Sequence, residues 1–190
     1  HIARGLDIGA EGIMLPMVND ADEARHILDC IKYVPAGKRG VALGIAHDGY
    51  SAPANVLRGL KASNARTTLF AQIETKAGVE NAEAIAALDG VDCLWVGHFD
   101  LSCSLGIPGK FDHPDFVAAI ETVVKACKKT KTALGRLVPT VEQGAALYKE
   151  GFDFICYSGD VWLLGAALKA GVDDMRAATK PQRKRPRKTA

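Results

Sequence analysis

At 190 residues, with 48% apolar and 24% charged composition, the chain is long enough to bury a substantial core, which excludes wholesale disorder. No apolar run approaches the roughly 20 residues of a membrane-spanning helix, and no basic segment followed by an apolar one opens the chain, so a membrane or secretory protein is not expected. The net charge of +2 belongs to the C-terminus: Lys180, Arg183, Lys184, Arg185, Arg187 and Lys188 fall in the last eleven residues, and setting those six aside leaves 18 basic against 22 acidic residues, near −4.

In chain order, short apolar runs alternate with amphipathic segments, the pattern of βα units and a parallel sheet. The chain opens at His1 within a helical stretch from Ile2 to Ile8. Strands are expected over Gly12–Met17, Leu69–Glu74, Cys93–Gly97, Ala133–Val138 and Phe154–Tyr157. Helices are expected over Ala21–Ile31, Val79–Leu88, Pro114–Lys128, Val141–Glu150 and Leu163–Ala177. Asn19 or Asp20 can cap the first of these, Pro114 suits a first helical position behind Asp112 or His113, and Gly151 suits a left-handed C-terminal cap. The stretch Val34–Ser63, rich in Gly, Ala and Pro, reads as a long irregular and therefore functional loop. Pro181 and Pro186 interrupt the basic end, so residues 179–190 read as a disordered, solvated tail. It carries no aromatic residue to stack on a base, and nucleic acid is not the expected partner.

A closed parallel barrel needs eight strands and about 250 residues, whereas five strands are legible here. The expected fold is a TIM (β/α)8 barrel lacking its first three βα units, over residues 1–178, with an open sheet as the alternative. The five cysteines, Cys30, Cys93, Cys103, Cys127 and Cys156, are odd in number and form no CxxC pair. They read as reduced thiols in or near a core, in a cytoplasmic compartment.

Two strands end in carboxylates. Glu74 closes Leu69–Ile73, and Asp100 follows Val91–Val96 across Gly97, His98 and Phe99. Each precedes a helix-like segment, so both would face one mouth of the barrel. Carboxylate oxygens suit a hard divalent cation, and two of them leave most of an octahedron to water and substrate, an arrangement suited to Lewis-acid chemistry on a keto acid. Each carboxylate alone is as readily a helix cap or an arginine partner. Gln72 lies two residues before Glu74, so strand periodicity puts both on one face, where an amide can bind a substrate oxygen or a neighbouring strand. No lysine stands at a strand end, which argues against a Schiff base.

The strings LPMVNDADEAR, PAGKRGV, QIET, VGHFDLS, LGIPG followed by HP, and FDFICYSGDVWLL resemble the HpcH/HpaI aldolase family of metal-dependent class II pyruvate aldolases, over nearly everything from Ile2 to about Ala177. The resemblance implies a carbon–carbon lyase that reversibly cleaves a 4-hydroxy-2-oxo acid to pyruvate and an aldehyde through a metal-stabilised enolate, as in the catabolism of aromatic compounds. It implies Mg2+, or Mn2+ or Co2+, on Glu74 and Asp100, with pyruvate bound by Gln72, Asp100 and the Phe99 N–H, and Leu137 lining the pocket. Asp7 falls on the carboxylate that raises the basicity of the family's catalytic histidine. That histidine and a transition-state arginine belong to strands upstream of His1, so the chain alone is expected to be inactive. None of His26, His47, His98 and His113 takes their place.

His98 and Phe99 replace the more usual Pro-Ala, which changes the pocket wall, and His98 is expected to pack beside the turn, with reach to substrate or metal as the alternative. Arg136, inside a strand, needs a carboxylate or an exit to solvent. The resemblance further implies a homo-hexamer joined through the helix beginning near Trp162. Alternatives are a citrate or malyl-CoA lyase-like enzyme acting on thioesters, and a non-catalytic incomplete barrel serving as an interaction module.

Overall fold

A computed structural model describes residues 1–179. Five parallel strands, β1 (Gly12–Leu15), β2 (Thr68–Ile73), β3 (Cys93–Val96), β4 (Ala133–Val138) and β5 (Phe154–Tyr157), form one sheet in sequential order. The helices are α1 (Ile2–Asp7), α2 (Ala21–Ile31), α3 (Val56–Arg66), α4 (Lys76–Glu80), α5 (Ala82–Ala86), α6 (His98–Ser104), α7 (Pro114–Thr130), α8 (Val141–Glu150) and α9 (Asp160–Ala178). The basic tail lies, apart from Thr179, outside the described residues. Among the described residues no helix is long and apolar enough to cross a membrane.

Alternation along the strands separates two faces. Leu69, Ala71 and Ile73 of β2, with Leu94 and Val96 of β3 and Leu134 of β4, face a core completed by Ile27, Ile31, Ile85, Phe116 and Val123 from the helices. The other face carries Phe70, Trp95 and Phe154. Phe70 and Phe154 belong to β2 and β5, three strands apart, which in a flat sheet means about 14 Å. Their ring centroids are 4.9 Å apart, with Trp95 5.9 Å from Phe154. The sheet therefore curls into a half-barrel with this face inside. Gly135 accommodates the curl, since a Cβ there would lie 2.7 Å from the Trp95 ring.

The caps follow the local chemistry. Asp20 accepts the Asp22 and Glu23 N–H groups at α2, His113 Nδ1 accepts from Asp115 ahead of Pro114, and Gly151 ends α8 at φ 99°. Asp92 and Asp153 each accept the second amide of a neighbouring strand, Leu69 and Leu134 respectively.

Four expectations need correction. The segment expected as Gly12–Met17 leaves the sheet at Leu15, because Met17 turns to φ 57°. Val79–Leu88 is not one helix: the chain breaks at Asn81, whose side-chain amide donates to the Asn19 carbonyl as well as to Ala77 in its own helix. Val34–Ser63 is not wholly irregular, since Asn55 caps α3, which is tied to the segment just after α2 by the Asn64 side chain bonding the Tyr33 backbone. Cys93 and Cys127 are buried, but Cys103 is exposed.

Candidate active site

Glu74 and Asp100 stand at the C-terminal ends of β2 and β3, which are neighbours in the sheet. The Gly97 N–H donates to the Ile73 carbonyl and stitches the two strand ends together. Glu74 is only 7% exposed. Its Oε2 accepts the Met17 N–H at 3.0 Å, and its Oε1 lies 3.3 Å from the Gln72 amide nitrogen. Met17 aims its N–H there by adopting a left-handed backbone, which costs energy for a non-glycine residue and is held by the Val18 N–H bond to the Gln72 carbonyl. Gly97 closes the cradle from the other side: a Cβ there would lie 2.2 Å from Oε1.

Gln72 is half-buried on the inner face, opposite Trp95 in the register. Phe99 and Asp100 belong to the first turn of α6, which has no side-chain cap, and both are exposed. The first N–H groups of a helix lack intrahelical acceptors, so this turn presents free donors beside the carboxylates. Ser102 holds the turn, donating to the Phe99 carbonyl and accepting the Gly109 N–H. Leu137 lies on β4 and lines, with Phe99, a cavity of about 840 Å³.

Glu74, Asp100, Gln72, Phe99 and Leu137 are thus gathered at one end of the half-barrel. Among the described residues no group of three or more His, Cys, Asp or Glu side chains is preassembled as a metal site. The donor set nevertheless fits a hard divalent cation. Both carboxylates are oxygen donors, and each Glu74 oxygen keeps a lone pair beyond its one hydrogen bond. The pose of Glu74 is fixed by two donors and by the missing Cβ at position 97.

Asp7 is not part of this cluster. It ends α1 just before β1 begins, at the N-terminal end of the sheet, and pairs with Arg39 at 2.6 Å. The Arg39 guanidinium lies over the Tyr33 ring, whose hydroxyl is 3.4 Å from His47 Nε2. His98 packs beside the turn as expected, tilted against Phe99 and edge-on to Phe111. Burial, and then the charge of Arg136, lower its pKa to about 4, with Asp100 opposing. Among the described residues Arg136 makes no ion pair; it is half-buried, lies against the Phe111 and Phe116 rings and reaches the wall of the cavity.

Sequence reasoning does not single out Met17, and it marks Gly97 only as part of a turn whose backbone N–H groups could bind a carboxylate, not as the space that Glu74 fills. Both lie inside strings that were conspicuous, LPM and VGHFD, but neither side chain carries chemistry. Their contributions are a backbone N–H and an empty space.

The HpcH/HpaI aldolase/citrate lyase profile matches residues 1–165. The chain is 37% identical over 169 residues to a hydroxypyruvate/pyruvate aldolase of Chromohalobacter salexigens, covering 85% of this chain and 63% of that protein. It is 32% identical to a 2-keto-3-deoxy-L-rhamnonate aldolase of Klebsiella pneumoniae, covering 88% and 62%. The chain thus spans less than two thirds of the length of these relatives. Its fold superposes on the crystal structure of an HpcH/HpaI aldolase from Desulfitobacterium hafniense with a TM-score of 0.87 at 32% identity, covering 97% of this chain and 70% of that one.

Proposed function

The chain belongs to the HpcH/HpaI aldolase/citrate lyase family, and from that premise we propose that it forms the C-terminal five βα units of a (β/α)8 barrel catalysing reversible aldol cleavage of a 4-hydroxy-2-oxo acid to pyruvate and an aldehyde. The observation that carries the reading is the convergence of the buried Glu74 carboxylate, the Gln72 amide and the uncapped first turn of α6 at the C-terminal end of a curled parallel sheet. That end is where barrel enzymes place their chemistry. The open edges at β1 and β5 and the coverage of the relatives support a longer barrel.

In this reading Glu74 and Asp100 would hold a divalent cation, Mg2+, Mn2+ or Co2+, which would supply Lewis-acid chemistry at the keto group. Gln72 donates its amide to a substrate oxygen. The Phe99 N–H receives the 2-oxo acid carboxylate, and Leu137 and Phe99 form apolar walls that exclude water. His98, with its pKa near 4, is neutral at physiological pH and shapes the wall without carrying charge.

No histidine of this chain takes the proton: His26 is exposed on α2, His113 caps α7, and His47 lies at the other end of the sheet. Asp7, at the same far end, tunes a histidine only of another copy, so the reading requires an oligomer, a hexamer by resemblance. The exposed apolar residues Trp162, Leu164 and Leu168 on α9 supply a surface for it.

The test is pyruvate release by the full-length protein from a panel of 4-hydroxy-2-oxo acids, with coenzyme A thioesters as the counter-panel. Turnover of the hydroxy-oxo acids supports the reading, and turnover of thioesters alone overturns it.

A further inference from the structure

Arg136 occupies a position that strand alternation assigns to the apolar helix side of the sheet. It pairs in the register with Val96 and Ile155, and Leu134 and Val138 share its face. Its Nε is shut off from solvent with no hydrogen-bond partner, and among the described residues the guanidinium makes no ion pair. Phe111 and Phe116, with centroids 6.0 and 5.9 Å from Cζ, favour the cation through their π faces but accept none of its N–H groups in the plane. The side chain as a whole is half-buried, and burial opposes its charge while Glu150 favours it. It opens onto the 840 Å³ cavity that Phe99 and Leu137 also line, with Lys110 and His113 on its wall.

We propose that Arg136, supported by Lys110, is an oxyanion subsite that takes a carboxylate or phosphate group beside the candidate active site. The guanidinium is preorganised by the two rings, and its terminal nitrogens offer the parallel donors that a planar or tetrahedral oxyanion accepts in pairs. Asp112 lines the same cavity and Glu150 a neighbouring one of about 700 Å³, so these two carboxylates compete with the ligand. The subsite stands on the geometry of Arg136, and only its place on the substrate path rests on the aldolase reading. There it receives the distal acidic group of the aldehyde, favouring acceptors that carry one.

The experiment is calorimetric titration of inorganic phosphate into the full-length protein, for wild type, Arg136→Met, Arg136→Lys and Asp112→Asn. The expected result is saturable binding weakened about tenfold or more by Arg136→Met, partly restored by Arg136→Lys and tightened by Asp112→Asn. Absent binding, or binding unaltered by both Arg136→Met and Arg136→Lys, overturns the subsite. Should Arg136→Met fail to fold, Arg136→Lys and Asp112→Asn decide it: phosphate affinity unmoved by either overturns the subsite.

A kinetic arm identifies the source of the anion. A rise in KM upon Arg136→Lys for an aldehyde bearing a carboxylate, and none for a neutral aldehyde of equal length, assigns the subsite to the substrate. An equal response to both assigns it to a separate small anion. No turnover of any aldehyde defeats the aldolase reading and leaves the phosphate titration to judge the subsite.

Discussion

Gly97 lies directly against the Glu74 carboxylate, on a different strand, so close that any Cβ at position 97 would overlap Oε1. The glycine lets two neighbouring strand ends approach while a buried carboxylate fits between them. Gly97→Ala should therefore displace Glu74 rather than merely stiffen the loop. Overpacking of this kind costs about 1–3 kcal/mol, a fall of several degrees in Tm. Activity of the full-length protein should fall much further than stability does. Wild-type kcat in a stably folded Gly97→Ala protein would show that the pose of Glu74 is unimportant.

His98 should titrate near pH 4 in the free protein, measured from its imidazole resonances, because burial and the Arg136 charge disfavour its protonated form. Its folded pKa is depressed below the ordinary 6.5, so the unfolded chain binds the extra proton first. Its contribution to stability is complete above about pH 6.5 and is lost as pH falls towards 4. Arg136→Met should raise the His98 pKa, and an unchanged value would mean that the two groups do not sense each other.

Asp7 holds the buried Arg39, whose side chain is 2% exposed. Removing the carboxylate leaves the buried guanidinium unpaired, and because Asp7 is itself 40% exposed, Asp7→Asn should cost about 1–2 kcal/mol. If Asp7 also raises the basicity of a histidine in another copy, the acid limb of the pH–rate profile should move to lower pH in Asp7→Asn. Mixed oligomers of Asp7→Asn and Glu74→Gln should regain activity that neither has alone. Failure of the mixture to complement, with both variants folded and co-assembled, would place Asp7 in a structural role only.

The strand ends were legible because alternation and apolar runs announce β2 to β5 almost residue for residue, and because Glu74 and Asp100 are conspicuous acids beside them. The curl of the sheet was not. It depends on Phe70 meeting Phe154 across three strands, and sequence shows each aromatic but not their meeting. Helix α3 was hidden because it buries little beyond Leu60 and begins behind Pro- and Ala-rich residues. The break at Asn81 was hidden because its cause, a hydrogen bond to Asn19, spans 62 positions. At the site, sequence pointed to the side chains but not to Met17, whose role is one backbone N–H in an unusual conformation.

Helix α9 leaves Val161, Trp162, Leu164 and Leu168 exposed on the chain taken alone. The full-length protein should sediment as a defined oligomer, and Leu164→Asp with Leu168→Asp should dissociate it. A wild-type monomer at micromolar concentration would contradict assembly through this helix.

Equilibrium binding of Mn2+ to the full-length protein, followed by electron paramagnetic resonance, reads the Glu74–Asp100 site without depending on the choice of aldehyde. Glu74→Gln removes one charge while keeping the size of the side chain, and Asp100→Asn does the same at the neighbouring strand end. One tight site per chain is expected in the wild type, weakened by about 100-fold or more in each variant, with Tm little changed. Mn2+ affinity that is the same in wild type, Glu74→Gln and Asp100→Asn would contradict that expectation.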